Sequence, residues 1–256
     1  MDKSISETIP VYKPAGLTPA QAIDAFRKEN PKYKNKAISH AGKLDPLAEG
    51  LLLLVTGKLT TPKNLKKYLN LDKEYKAKIL FGFSTDSYDI QGIPTKGEVI
   101  EINKAKLLEE IEKFKGTYFQ ETPPFSGRKV NGKPLYYYAR KNKLNKITIP
   151  KQKITIKKIE SSNFSKINNK QLLEEITKKI NLLNGDFRQK EIIQKWGELL
   201  KENQEFYAID IIIQCSSGTY IRSIANDLGE KFNKAILLNL IRTKVGDFSI
   251  NNSIKL

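Results

Sequence analysis

The sequence has very few of the residues that build metal clusters and disulfide frameworks. It holds one cysteine, Cys215, and one histidine, His40, among 256 residues. A single cysteine excludes an internal disulfide and a cysteine-based metal cluster. With only one histidine as well, a zinc site is not expected. We therefore predict a protein without a metal site.

Long apolar stretches are also missing. No apolar run approaches the roughly 20 residues that span a bilayer, and residues 1–8 lack the apolar core of a secretory signal. The hydrophobic content of 39% and the charged content of 29% are typical of a soluble globular protein. No internal repeat or linker is visible, so we predict a single cytoplasmic domain over residues 1–256, without membrane association.

Acidic residues are in the minority. The chain has 45 Lys and Arg against 28 Asp and Glu, which gives a formal net charge of +17. Such a surplus favours a polyanionic partner, and nucleic acid first among these. A second explanation stays open, because Lys, Asn and Ile are abundant throughout and part of the charge could reflect coding bias.

The histidine belongs to the most distinctive stretch of the chain, residues 37–57, with the sequence AISHAGKLDPLAEGLLLLVTG. Asp45 follows His40 by five residues in a loop bounded by Gly42 and Gly50, and an apolar run long enough for a buried strand comes next. A carboxylate held at the mouth of a buried strand suits a nucleophile or a general base. Alternatively, Asp45 only closes an Asx turn, which the local pattern by itself favours.

Residues 40–52, HAGKLDPLAEGLL, closely resemble the catalytic motif of the TruB family, the tRNA pseudouridine-55 synthases. The resemblance implies that Asp45 is the catalytic nucleophile. It also implies that His40, Gly42 and Lys43 meet the RNA, with His40 helping to hold the target loop open. The fold to expect is the α+β pseudouridine synthase fold, a large mixed, mainly antiparallel sheet flanked by helices, with the active-site cleft across its middle.

Two further motifs supply the other catalytic candidates. Residues 73–82 alternate as a half-buried strand does, and Tyr75 stands where the family stacks an active-site Tyr on the uracil. Residues 218–229, GTYIRSIANDLG, match a further motif of the family. The Arg of this motif pairs with the catalytic Asp in the family, which implies that Arg222 pairs with Asp45. The resemblance also assigns Tyr220 to RNA binding. Without the resemblance, Tyr75 would be an ordinary strand aromatic and Arg222 a surface residue at a helix start.

Residues 9–18 predict a short strand, a Pro/Gly turn and a helix that Thr18 caps. The family has a similar Lys-Pro-x-Gly beside its active-site loop, which implies an RNA-binding role for Lys13. Tyr12 replaces the usual Asp and Pro19 the common Ser. A plain strand-to-helix turn explains the residues other than Lys13 equally well.

A basic and aromatic segment at about residues 120–140 resembles the mobile thumb that closes on the T-arm of tRNA in the family. Interleaved cations and rings suit RNA, because phosphates need positive charge and bases stack on aromatic faces. On this resemblance, Arg128, Lys129, Tyr136 and Arg140 are expected to bind RNA.

Three segments have no assigned part in catalysis. Residues 165–205 depart from the family, and their apolar spacing predicts a helical hairpin, broken at residues 184–186, that adds an RNA surface or covers a sheet edge. The loop at residues 83–92 has too few ligands for a cation site and is interpreted as structural. Residues 237–248 resemble the last helix and strand of the catalytic domain. Only eight residues follow, too few for the extra RNA-binding domain of many family members.

The resemblance implies an enzyme that flips the T-loop uridine of tRNA, at position 55, out of its stack and isomerises it to pseudouridine without a cofactor. The T-arm of tRNA is the expected partner, no obligate protein partner is expected, and we predict a monomer. Two alternatives stay open: a guide-RNA-dependent relative and an RNA chaperone without catalysis. The sequence does not decide whether Asp45 attacks the ribose, adds to the base or removes a ribose proton.

Overall fold

The computed structural model describes residues 6–256; residues 1–5, part of the segment expected to lack a signal core, lie outside it. The helices of this part are α1 (Pro19–Glu29), α2 (Pro62–Leu69), α3 (Lys104–Glu112), α4 (Leu135–Arg140), α5 (Asn169–Asn181), α6 (Gln189–Leu199) and α7 (Ile221–Gly229). The strands are β1 (Thr8–Lys13), β2 (Ile38–His40), β3 (Glu49–Thr56), β4 (Lys73–Phe81), β5 (Phe83–Thr85), β6 (Pro94–Lys96), β7 (Gly116–Glu121), β8 (Lys129–Val130), β9 (Lys133–Pro134), β10 (Lys151–Asn168), β11 (Glu205–Cys215), β12 (Ala235–Val245), β13 (Phe248–Ser249) and β14 (Ile254–Lys255).

A ten-stranded sheet forms the body of the described chain. Its path runs β14-β1-β3-β12-β4-β11-β10-β7, with β2 paired to β3 and β13 paired to β12 off this path. Its pairings are antiparallel except for β1 with β14 and β12 with β3, which are parallel. The predicted α+β class, with a large mixed and mainly antiparallel sheet flanked by helices, is confirmed.

Both faces of this sheet are buried, and the alternation along β4 shows why. Successive side chains of a strand point to opposite faces, so Ile79 joins a core with residues of α3 and α7, while Leu80 joins a second core beneath α5 and α6. Both side chains are fully buried. A third core lies between α1 and the β1–β3 pair.

Helix α1 begins where the sequence predicts. The Thr18 side chain accepts a hydrogen bond from the Gln21 N–H, and the Gln21 side chain accepts one from the Thr18 N–H, which together form a capping box. The turn before it is tied to the loop that follows β2, because the Gly16 N–H donates to the Pro46 carbonyl at 2.9 Å.

Helices α5 and α6 flank the predicted break at residues 184–186. Residues 165–168, expected to belong to this hairpin, instead end strand β10, because they continue its antiparallel pairing with β11 from Ser165 opposite Ala208. The expected helix within residues 237–248 is wrong: this segment is extended in β12 and β13 and pairs with β4. No helix of residues 6–256 is long and apolar enough to cross a membrane.

Candidate active site

Asp45 lies in the loop between β2 and β3. This turn is closed by the backbone, from the Ala48 N–H to the Asp45 carbonyl at 3.1 Å, and the carboxylate is directed to Arg222. The Arg222 Nε donates to the Asp45 Oδ2 at 2.8 Å. The Asp45 side chain is 38% exposed and that of Arg222 only 3%. The pair therefore combines an accessible carboxylate with a buried cation.

Arg222 is held in the first turn of α7 by acceptors from three loops. Besides Asp45, its Nη1 donates to the Ser87 carbonyl at 2.8 Å, and its Nη2 donates to the Phe125 carbonyl at 3.3 Å. Burial disfavours its charge, yet the nearby carboxylates of Asp45 and Asp89 keep the pKa of Arg222 above its usual value. A guanidinium with this many fixed partners has one orientation, which it imposes on Asp45.

Asp89 is a second carboxylate beside Arg222, with its Oδ2 3.6 Å from the Arg222 Nε. Burial raises the pKa of Asp89 to about 6. The charge of Asp45 also raises this pKa, and the guanidinium of Arg222 lowers it. The loop at residues 83–92, interpreted as structural from the sequence, thus reaches the Asp45–Arg222 pair. The sequence did hold a signal, since Asp89 directly precedes the apolar Ile90 in an otherwise polar segment that contains Gly92.

Two cavities meet at the Asp45–Arg222 pair, and both residues line each of them. The first, the thumb-side cavity, has a volume of about 420 Å³. The second, the Tyr75-side cavity, has a volume of about 320 Å³. The thumb-side cavity is also lined by Thr18, Pro46, Ser87, Asp89, Gln91, Phe125, Tyr136, Arg140, Phe187 and Arg188. The Tyr75-side cavity is also lined by Gly42, Lys43, Leu44, Leu69, Asn70, Lys73, Tyr75, residues 217–221, Leu240 and Arg242.

Tyr75 stands on β4 with only 8% of its surface exposed. Burial raises the pKa of its hydroxyl, while the neighbouring Arg242 guanidinium lowers it. Tyr75 and Asp45 line the same cavity, which is the arrangement that the sequence predicts for a ring that supports the target base.

Arg242 was not identified from the sequence. This β12 residue is 1% exposed, and its guanidinium donates to the carbonyls of Leu51 at 2.7 Å, Lys43 at 3.0 Å and Gly42 at 3.4 Å. It fixes the start of the Asp45 loop to the sheet. The alternation of side chains along β12 could have indicated its burial. Arg242 stands two positions after Leu240, so both side chains face the same side of the strand, and that of Leu240 is buried.

Lys13 is completely buried, so its ammonium is not presented to RNA in this structure. The Nζ donates to the carbonyls of Leu17 at 2.7 Å, Pro14 at 2.9 Å and Pro46 at 3.0 Å. Burial lowers the pKa of Lys13 to about 7, against the attraction of Asp45 and Glu49. Lys13 thus ties the turn after β1 to the residue that follows Asp45.

The other residues of the central motif lie on the same loop. His40 ends β2, where burial lowers the pKa of its imidazole, and its Nδ1 has no hydrogen-bond partner among the described residues. Gly42 has a φ of +104°, a left-handed conformation that favours glycine. Lys43 is exposed, and its Nζ donates to the Gly127 carbonyl of the thumb at 3.1 Å.

The thumb residues divide between the cleft and the outer surface. Tyr136 and Arg140 line the thumb-side cavity, and Tyr136 is 45% exposed. Arg128 donates to Gln152 at 3.0 Å, and both it and Lys129 are exposed; within the described chain, neither lines the two cavities. Tyr220 lines the Tyr75-side cavity, but Arg128, Lys129, Lys13 and His40 do not.

The sheet topology and the geometry around Asp45 and Arg222 can now be compared with known protein families. Residues 30–187, more than half of the chain, match the model described as TruB family pseudouridylate synthase (N terminal domain). The chain belongs to the TruB family.

Curated relatives of this TruB-family chain share the name tRNA pseudouridine synthase B. The one from Malacoplasma penetrans is 33% identical over 245 residues, which are 95% of this chain and 86% of that protein. Those of Caldanaerobacter subterraneus subsp. tengcongensis and Clostridium tetani are 32% and 34% identical and cover 98% and 97% of this chain. The matches cover 72% and 70% of those two proteins.

Solved structures share the fold of this TruB-family chain at lower identity. A chain in the crystal structure of a Cbf5-Nop10-Gar1 complex has a TM-score of 0.61 at 18% identity, over 99% of this chain and 53% of that one. A chain of an H/ACA RNP bound to a substrate RNA containing 2'-deoxyuridine has a TM-score of 0.56 at 17% identity, over 97% and 50%. This chain spans about half the length of those structures. The predicted pseudouridine synthase fold is confirmed.

Proposed function

We propose that this chain isomerises a uridine in the T-loop of tRNA to pseudouridine, with Asp45 as the nucleophile. The observation that carries the proposal is the Asp45–Arg222 pair, with a 2.8 Å contact, at the meeting point of two cavities, one of them walled by Tyr75. The names of the curated relatives support tRNA as the substrate.

The geometry suits the chemistry. Isomerisation breaks the bond from N1 of uracil to the ribose and forms one from C5, so no atom is lost and no cofactor is required. Asp45 has the exposed carboxylate that must reach the nucleotide, and the buried Arg222 balances its charge and fixes its direction.

The target base must leave its stack before Asp45 can reach it. We infer that the uracil enters the Tyr75-side cavity and lies against the Tyr75 ring. RNA phosphates would then meet the exposed cations Lys43, Arg128 and Lys129, and the net charge of +17 favours the encounter. We infer that Tyr136, Arg140 and Tyr220 contact the nucleotides around the target.

One chain supplies every group of this site in the described residues, so we infer a monomer that acts without a guide RNA or an obligate protein partner. We keep the expectation that the protein is cytoplasmic. The alternative of a guide-dependent enzyme is tested by leaving guide RNA out of the assay.

The test is pseudouridine mapping on an unmodified tRNA transcript incubated with the purified chain alone. We expect modification of the T-loop uridine, lost in Asp45→Asn while the tRNA dissociation constant stays within a few-fold. Asp24→Asn, which makes the same charge change at an exposed position on α1, is the matched control and should keep full activity.

Three outcomes would contradict the proposal. Substantial activity in Asp45→Asn would show that Asp45 is not the nucleophile. Modification of a uridine outside the T-loop would show that the target position is another one. Tight binding of the transcript without any modification by the wild-type chain would favour an RNA chaperone.

A further inference from the structure

The segment between α5 and α6, residues 182–188, lies at the active site although the sequence assigned it no catalytic part. We call it the hairpin loop. Its two helices are anchored in the second core by three fully buried side chains, Ile176, Ile192 and Trp196. The Trp196 ring lies 4.8 Å from the ring of Phe83 in β5, the strand with which the segment of residues 83–92 begins. The hairpin loop therefore has a fixed base close to the cleft.

One side of the hairpin loop is bound to the turn that supports Asp45. The Asn184 N–H donates to the Gly16 carbonyl at 3.4 Å, and the Gln21 side chain donates to the Asn184 carbonyl at 3.1 Å. Gly16 in turn donates to the Pro46 carbonyl. Gly16 also has no room for a side chain, because a Cβ there would overlap the Leu182 backbone. The contact at this end is close and backbone-mediated.

The other side is formed by Arg188, whose guanidinium joins two segments. It makes a two-pronged ion pair with Asp86, at 2.7 Å and 3.2 Å, and its Cζ lies 4.9 Å from the centre of the Phe125 ring in the thumb. Arg188 has a φ of +63°, a left-handed conformation that is unusual for a residue other than glycine. The residue with this unfavourable backbone conformation is therefore the one that contacts both Asp86 and Phe125.

The two segments that Arg188 joins are the ones that hold Arg222. Asp86 immediately precedes Ser87, whose carbonyl accepts from the Arg222 Nη1, and the Phe125 carbonyl accepts from the Arg222 Nη2. A second link, from the Arg140 Nη2 to the Asp186 carbonyl at 3.2 Å, also fastens the thumb to the hairpin loop.

We propose that Arg188 is a positioning residue, which fastens the thumb to the loop at residues 83–92 and thereby fixes Arg222 against Asp45. The inference rests on the proposed function, since it assigns Arg188 a part in the same reaction. Its action is on the turnover of bound RNA and not on the binding of RNA, because Arg188 already uses its guanidinium on Asp86 and Phe125.

The test compares Arg188→Ala with Lys190→Ala, which removes the same charge from an exposed position two residues along the chain. We expect kcat of Arg188→Ala to fall roughly tenfold, as for the loss of one partly exposed ion pair and one cation–π contact. We expect KM and the tRNA dissociation constant to stay within about twofold. Arg188→Lys, which keeps the charge but not the two-pronged geometry, should restore only part of kcat.

A second measurement reads the thumb without using activity. Limited digestion with trypsin, followed by mass spectrometry of the peptides, gives the rate of cleavage after Arg128 and Lys129. We expect faster cleavage in Arg188→Ala, and in Asp86→Asn, than in the wild type or Lys190→Ala. Asp86→Asn keeps the Oδ1 that accepts from the Ile93 N–H, so the loop retains its own hydrogen bond.

The outcomes separate this inference from the proposed function. A wild-type chain that makes no pseudouridine overturns the proposed function, while the cleavage rates still report on the Arg188 contacts. With an active wild type, unchanged kcat in Arg188→Ala overturns the inference. Weakened RNA binding at unchanged kcat overturns it as well, because Arg188 would then be an RNA contact. Thumb cleavage equal to that of the wild type does the same.

Discussion

The Lys13→Met substitution separates two functions for a lysine beside the active site. If Lys13 braces the Asp45 loop, the loss appears in stability and turnover; if it binds phosphate, the loss appears in RNA affinity. Methionine has a similar length and removes the ammonium. The substitution leaves the carbonyls of Pro14, Leu17 and Pro46 without their shared donor.

The magnitude follows from the three contacts. A hydrogen bond from a charged donor contributes about 1.5–3 kcal/mol, and relief of the buried charge offsets part of the sum. We expect a net loss of roughly 2–4 kcal/mol in the free energy of unfolding, which corresponds to a fall of roughly 4–16 °C in Tm for a domain of this size. The measurement is thermal and urea unfolding at pH 6, where Lys13 carries its charge.

Lys34→Met is the matched control, since Lys34 is exposed and the change in net charge is identical. We expect Lys34→Met to leave stability within about 0.5 kcal/mol of the wild type. Lys13→Met should also lower kcat, with a tRNA dissociation constant equal to that of the control. Unchanged stability together with tRNA binding weaker than in Lys34→Met would refute the bracing role.

Three further predictions concern other parts of the structure. Tyr75→Phe keeps the ring but removes the hydroxyl. If this hydroxyl transfers a proton in the reaction, we expect RNA binding within twofold of the wild type and a turnover rate lower by roughly a hundredfold or more. A turnover rate equal to that of the wild type, measured by rapid mixing, would contradict this role of the hydroxyl. Asp89 has its pKa raised to about 6, so the folded state binds more protons than the unfolded state between about pH 4 and pH 6. Stability should therefore fall as pH rises across that window, by up to about 3 kcal/mol, and urea unfolding of Asp89→Asn should lose this slope; an equal slope in both proteins would be inconsistent with a titrating Asp89. Trp196→Ala leaves a cavity in the second core beneath the hairpin and should lower the free energy of unfolding by about 3–5 kcal/mol. Unfolding is measured by far-ultraviolet circular dichroism, and a loss below about 1 kcal/mol would mean that the helices are not packed as described.

Short motifs predicted that Asp45 and Arg222 form a pair, because a motif records local chemistry. Asp45, Tyr75 and Arg222 were each placed by residues adjacent in sequence, and the structure brings all three to one cavity. The parts of the site that escaped prediction depend on long-range packing. Arg242 holds the Asp45 loop from about 200 positions away, and nothing next to it in sequence indicates that partner.

Burial adds what a short pattern leaves open. The resemblance of the Lys-Pro-x-Gly turn implied an RNA contact for Lys13, and the carbonyls that surround its ammonium come from the fold and are not visible in the sequence. The loop at residues 83–92 looked like an ordinary polar connection until Arg222 was placed beside it. The apolar run at residues 237–248 fits a helix or a strand, and pairing with β4 decides for the strand.

The position of β12 between β3 and β4 has a consequence for how the protein is made. These two neighbours are synthesised more than 150 residues before it, and they cannot join one sheet until it is inserted between them. Arg222 and Arg242, which set the direction of Asp45 and hold its loop, arrive in the same late part of translation. Asp45 is therefore synthesised long before the residues that orient it and hold its loop, and the described arrangement of this loop can form only after β12 has joined β3 to β4.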